Sequence, residues 1–147
     1  MNETSDSSKQ RVVRAYVTRN QSFSAAHRLH SSALTDEENA KLYGKCNNPN
    51  GHGHNYRVEI TVYGDVDPLT GMVINIADLK IYIEKGIMQN LDHVNIDKDV
   101  PYFRTKPSTT ENVALFIWEQ MKALLGDLLY EVKLWETDKN SVIYRGD

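Results

Sequence analysis

The sequence predicts an α+β domain in which two helices cover one face of a four-stranded antiparallel sheet, in the chain order ββααββ. Three observations predict it. Four segments alternate apolar and polar residues with period 2, as half-buried strands do. Two segments between the second and third of these carry apolar stripes at helical spacing. Turn and cap residues punctuate the joints, and two helices with one sheet to cover make a two-layer α+β arrangement.

The first strand is read over Val12–His27. Val13, Ala15 and Val17 alternate with Arg14, Tyr16 and Thr18, and the pattern resumes at Phe23, Ala25 and His27. It weakens at Arg19–Gln21, where a bulge is expected. A polar connection from Arg28 to Gly51 follows, with one short helix expected in DEENAKLYG. The second strand, His54–Tyr63, is the cleanest. His52, His54, Tyr56, Val58, Ile60 and Val62 share one parity and therefore one face. DVDPLTG (Asp65–Gly71) makes a turn.

Asn75 is read as the cap of a helix whose stripe is Ile76, Leu79, Ile83 and Ile87, ending near Asn90. The next helix opens at STTE, with Ser108 as N-cap and Glu111 three residues on, the capping-box pattern. Val113, Phe116, Ile117, Met121 and Leu124 line its core face, and Gly126 ends it. Leu128, Tyr130, Val132, Leu134 and Glu136 share a face in the third strand. DKN turns the chain, and Ser141–Arg145 completes a hairpin. So few strands leave exposed edges, which invite pairing with another subunit.

The whole chain sets bounds on function. Its 147 residues make one domain, read as residues 11–147 behind a polar, disordered tail at 1–10. A net charge of −3 gives no global attraction to nucleic acid or to an anionic membrane. No apolar run approaches the roughly 20 residues of a membrane span. A single cysteine cannot form an intrachain disulfide, and with no signal peptide visible a reducing, cytoplasmic setting is expected. No G-x-G-x-x-G, the dinucleotide-binding fingerprint, is present.

The residues that carry chemistry gather in GKCNNPNGHGHNY, Gly44–Tyr56. His52 and His54, two apart on a strand, leave the same face and can meet one metal ion. An H-x-H pair needs a third ligand. His27 ends the first strand, and antiparallel pairing of the first two strands brings it toward His52. Three imidazoles with an open fourth position form a catalytic zinc arrangement. His30, in a polar loop, is read as an exposed histidine. Cys46 lies in a polar loop rather than an apolar run. It is either a thiol of lowered pKa or a fourth ligand, and spacing leaves both open. Asp92–His93 reads either as a helix-terminal imidazole or as a carboxylate–imidazole relay. Glu136 points to the apolar side of its strand, where a carboxylate needs a partner.

Together FSAAHRL, GKCNNPNGHGHNY, GMVINIADLK, LDHVNID, PSTTENVA and ETDKN resemble the 6-pyruvoyltetrahydropterin synthase family. The match runs in order from Val12 to the C-terminus. The resemblance implies the tunnelling fold, with subunit sheets joined into an oligomeric barrel and a hexamer built as a dimer of trimers. It implies dihydroneopterin triphosphate as substrate, Zn²⁺ at His27, His52 and His54, and an internal redox shift that needs no nicotinamide or flavin cofactor. It implies Cys46 as general base, with Asp92 and His93 completing a relay across a subunit interface. Glu136 then anchors the pterin, and Thr109 and Thr110 line its pocket. Arg28, Lys45 and Arg57 remain as candidates for gripping the triphosphate. A related family, the 6-carboxytetrahydropterin synthases of queuosine biosynthesis, has three residues between its cysteine and its HGH. Here Asn47–Gly51 makes five, which favours the pyruvoyl enzyme. A catalytically dead, zinc-stabilised pterin-binding module is the remaining alternative, and it does not explain Cys46, Asp92 and His93.

Overall fold

The computed structural model describes residues 11–147. The expectation of a disordered tail at 1–10 lies outside the described residues.

Two 14-residue strands dominate, β1 (Arg14–His27) and β2 (His52–Asp65). They pair antiparallel without a break from Arg14↔Asp65 to His27↔His52. Between them α1 (Asp36–Tyr43) starts at Thr35 with a complete capping box. After β2 the chain enters α2 (Ile76–Ile83), capped by Asn75, then a π-helical turn at Glu84–Met88, then α3 (Gln89–Leu91). A short β3 (Val94–Asn95), α4 (Ile96–Asp99) and a 3₁₀ turn at Pro101–Arg104 lead into α5 (Thr110–Leu125). The hairpin β4 (Leu129–Trp135) and β5 (Ser141–Tyr144) closes the chain.

The α+β layering holds, but the sheet has five strands in the order β3-β1-β2-β4-β5. The additional strand, β3, runs parallel to β1 at Ala25 and Ala26 only. Two residues carry no periodicity, so the sequence pattern could not reveal it. One sheet face is the core. Tyr56, Val58, Ile60 and Val62 of β2 meet Val132 and Leu134 of β4, beneath Leu79, Ile83 and Ile87 and beneath Val113, Ile117 and Met121 of α5. All of these are essentially excluded from water.

Four local readings change. The bulge expected at Arg19–Gln21 is absent, because β1 keeps its register and its alternation throughout. Arg19 and Gln21 weaken the apolar pattern because they lie on a half-buried stretch of β1 that no third strand covers. A bulge sits in β4 instead, between Thr61↔Glu131 and Val62↔Leu129. It puts Leu129 in the core and turns Tyr130 to the opposite face, where its ring lies 4.8 Å from that of Tyr16. Tyr130 is therefore not core-facing, whereas Leu128, in the 3₁₀ turn just before β4, packs partly buried against the core. Ile76 is 56% exposed, since the first helical position precedes the stripe. Finally, α5 is capped by Thr109, whose hydroxyl accepts from Asn112 N, and not by Ser108.

Candidate active site

The register of β1 against β2 builds the site. His27 is the last residue of β1, His52 the first of β2, and they stand directly opposite. His54 follows on the same face. The three rings make a near-equilateral group, with centroids 4.7 Å (His27–His52), 5.2 Å (His27–His54) and 4.9 Å (His52–His54) apart. One ring nitrogen of each lies within 4.8 Å of the others.

The hydrogen bonding fixes what these nitrogens offer. Nδ1 of His27 lies 2.8 Å from the carbonyl oxygen of Ser108. A carbonyl only accepts, so Nδ1 carries the proton and Nε2 keeps its lone pair. Nε2 of His27, Nδ1 of His52 and Nε2 of His54 are all buried without a hydrogen-bond partner. Burial holds the pKa of His52 and of His54 below the usual histidine range, and the neighbouring His27 adds to the effect. Glu136 pulls the other way at both, and burial prevails. Three converging imidazole nitrogens, buried and without hydrogen-bond partners, are a donor set that fits a divalent transition metal.

Glu136, immediately after β4, keeps the inward parity of Val132 and Leu134. Its carboxylate oxygens lie 3.8 Å from His27 Nε2 and 3.7 Å from His54 Nε2, beyond hydrogen-bond range. Thr110 donates its hydroxyl to Glu136 Oε2 at 2.9 Å. The carboxylate is thus held at the edge of the imidazole cluster with acceptor capacity to spare. The two threonines separate in role: Thr110 touches Glu136, while the Thr109 hydroxyl is occupied in capping α5.

Cys46 sits half-buried in a 3₁₀ turn, Gly44–Asn47. Its carbonyl accepts from Leu29 N at 2.9 Å, which docks the turn against the chain just after His27. Asn47 reinforces this by donating to Leu29 O at 2.7 Å and by accepting on its carbonyl from Arg28 Nε at 2.8 Å. The thiol is not among the ligand atoms that cluster with the three imidazoles.

Asp92 and His93 stand at the β3 edge. Asp92 Oδ1 accepts from Ser24 N at 3.0 Å, and Oδ2 pairs with His93 Nδ1 at 2.9 Å. The Ser24 amide, assisted by His93, holds the Asp92 carboxyl below the usual carboxylate range. His93 adopts φ 63°, a conformation rare outside glycine, and its side chain is 81% exposed. Among the described residues no hydrogen bond joins this pair to Cys46.

Three supporting residues were not legible in the sequence. Ser108, fully buried, donates to Asp97 Oδ1 at 2.6 Å while its carbonyl orients His27. Asp97 also accepts from Arg28 N at 2.6 Å. The STTE pattern pointed to a cap and so concealed the role of Ser108. Tyr56 is the third: its ring stacks on Phe23 at 4.9 Å, and its hydroxyl is buried without a partner. Burial first, then Glu136 and Asp97, push that phenol well above its usual range.

Residues 16–147 match the family model described as 6-pyruvoyl tetrahydropterin synthase. The chain is 60% identical over 138 residues to a Homo sapiens protein named 6-pyruvoyl tetrahydrobiopterin synthase, spanning 93% of this chain and 95% of that one. It is 58% identical over 134 residues to a Drosophila melanogaster protein of the same name, spanning 90% and 80%. The structure of the Caenorhabditis elegans 6-pyruvoyl tetrahydropterin synthase superposes with a TM-score of 0.90 at 46% identity, spanning 94% of this chain and 99% of that one.

Proposed function

This chain belongs to the 6-pyruvoyl tetrahydropterin synthase family, and on that premise we propose that it converts 7,8-dihydroneopterin triphosphate to 6-pyruvoyltetrahydropterin with elimination of triphosphate. The observation that carries the reading is the set of three converging, unpartnered imidazole nitrogens beside a held carboxylate. A metal read as Zn²⁺ at His27, His52 and His54 supplies Lewis acidity at the hydroxyls of the substrate side chain.

The chain's own residues do the rest. Glu136 accepts from the amino and ring N–H groups of the pterin, and the Thr110 hydroxyl fixes the carboxylate for that purpose. Cys46 takes and returns protons at the side-chain carbons. To act as a base the thiol must give up its own proton, which nearby positive charge favours. Asp92 holds the His93 ring through Nδ1, which leaves Nε2 to exchange protons. The exposure of His93 supports its acting on a neighbouring subunit's site. The side chain is oxidised as the ring is reduced, so no external hydride donor is required. The working form is proposed to be a cytoplasmic hexamer, a dimer of trimers.

Metal analysis and assay of His52→Ala test the reading. The variant is expected to lose bound zinc and, with it, release of triphosphate from 7,8-dihydroneopterin triphosphate. Full zinc occupancy in this variant would overturn the ligand assignment.

A further inference from the structure

Three cations were left without a role by the sequence: Arg28, Lys45 and Arg57. The structure separates them. Arg57 lies on the sheet face away from the imidazoles, where it pairs with Glu59 at 3.2 Å and covers the Trp135 ring at 4.8 Å. Lys45 is exposed on the 3₁₀ turn. Arg28 alone of the three lines a cavity of about 380 Å³, and it does so together with Lys98, Arg104 and Lys106.

This cavity has the charge of an anion site. Among the described residues none of its four cations forms an ion pair. Its one carboxylate, Asp97, is already engaged, by the amide of Arg28 and by the hydroxyl of Ser108. The Arg28 guanidinium donates through Nε and Nη2 to Asn47, which anchors it and leaves donors free. Lys106, which lines the cavity, rests over the Tyr102 ring at 4.2 Å. Unpaired cations side by side repel one another, and a multiply charged anion relieves that repulsion.

Its position matters as much as its charge. Glu136 follows Trp135, which pairs with Arg57, so Glu136 stands level with Tyr56. From there His54, His52 and Gly51 succeed one another along the chain. Gly51 lines the cavity. Carboxylate, imidazole cluster and cationic cavity are therefore arranged in a row. The Glu136 carboxylate lies within 3.8 Å of His27 and His54, and Gly51 adjoins His52. A substrate with a fused-ring base, a short hydroxylated chain and a terminal triphosphate presents the matching groups in the same order.

We propose that this cavity is a polyphosphate subsite, in which Arg28, Lys98, Arg104 and Lys106 hold the triphosphate of the substrate. The assignment of the phosphates to the substrate rests on the function proposed above; the polyphosphate chemistry of the cavity does not.

The test uses the full-length, metal-loaded protein and the double variant Arg104→Ala/Lys106→Ala. Both side chains are exposed, so the fold should survive their truncation. Inorganic tripolyphosphate is titrated by calorimetry, with metal content checked before and after because this anion chelates divalent ions. The wild type should bind it in competition with 7,8-dihydroneopterin triphosphate. The double variant should bind it at least about tenfold more weakly and show a KM raised by a similar factor. Binding of dihydroneopterin, which lacks the phosphates, should be unchanged. Unaltered tripolyphosphate affinity in the variant, or binding that does not compete with substrate, overturns the subsite. If the wild type fails to turn over the substrate yet binds tripolyphosphate through Arg104 and Lys106, the pterin reading falls and the polyphosphate site stands.

Discussion

Cys46 and the three histidines stand further apart in the fold than their closeness in sequence suggests. Cys46 lies six residues from His52, yet its sulfur stays outside the imidazole cluster. That separation predicts distinct losses. Cys46→Ala should retain zinc, because all three ligands remain, while turnover falls by the ~10²–10⁴-fold typical of losing a general acid–base group. Zinc content and turnover measured on one preparation decide it. Loss of zinc would make the thiol a ligand, and retained turnover would remove it from the chemistry. The histidines were legible beforehand because strand parity translates directly into a shared face, and antiparallel pairing placed His27 opposite His52. Ser108 and Asp97 were not legible. Their roles depend on a loop and a helix start folding onto the end of β1, and no local pattern encodes that contact.

At the scale of elements, the turn that enters β2 constrains the imidazole cluster. Gly51 has φ +77°, and a Cβ there would sit 3.0 Å from the carbonyl oxygen of His27. The obstruction is backbone, which has little room to move. Gly51→Ala should therefore cost about 1–2 kcal/mol from the left-handed conformation alone, with more from the contact. Because the contact presses on His27 and adjoins His52, zinc affinity should also fall. Thermal melts of the metal-free proteins, with zinc titrations, check both effects; an unchanged melt would show that the turn does not constrain the site. The long elements were readable from periodicity: β1, β2, the helical run from Ile76 and α5 all lie where their stripes place them. Short or irregular features escaped. β3 has two residues, the bulge at Tyr130 reverses a parity that looked continuous, and the π-helical turn at Glu84–Met88 interrupts a stripe without displacing Ile87 from the core.

For the whole molecule, the sheet leaves two edges unsatisfied among the described residues. β3 covers β1 only at Ala25 and Ala26, and β5 pairs only with β4. Fourteen residues of β1 present most of one edge to whatever lies alongside. Edges of this length favour pairing between copies, and closed symmetry is the usual outcome. Sedimentation should find a hexamer at micromolar concentration; a stable monomer would contradict it. Assembly also offers the exposed His93 of one copy a route to the Cys46 of another, so a monomeric form should be inactive. The central claim, that the imidazole cluster and the row of groups around it constitute a pyruvoyl-forming pterin synthase, is tested most directly by product analysis. Purified zinc-loaded protein is incubated with 7,8-dihydroneopterin triphosphate, and the pterin, triphosphate and any acetaldehyde are quantified. We expect 6-pyruvoyltetrahydropterin and triphosphate in equal amounts, abolished by chelation and restored by zinc. Acetaldehyde in place of the pyruvoyl product, or no release of triphosphate, would contradict the account.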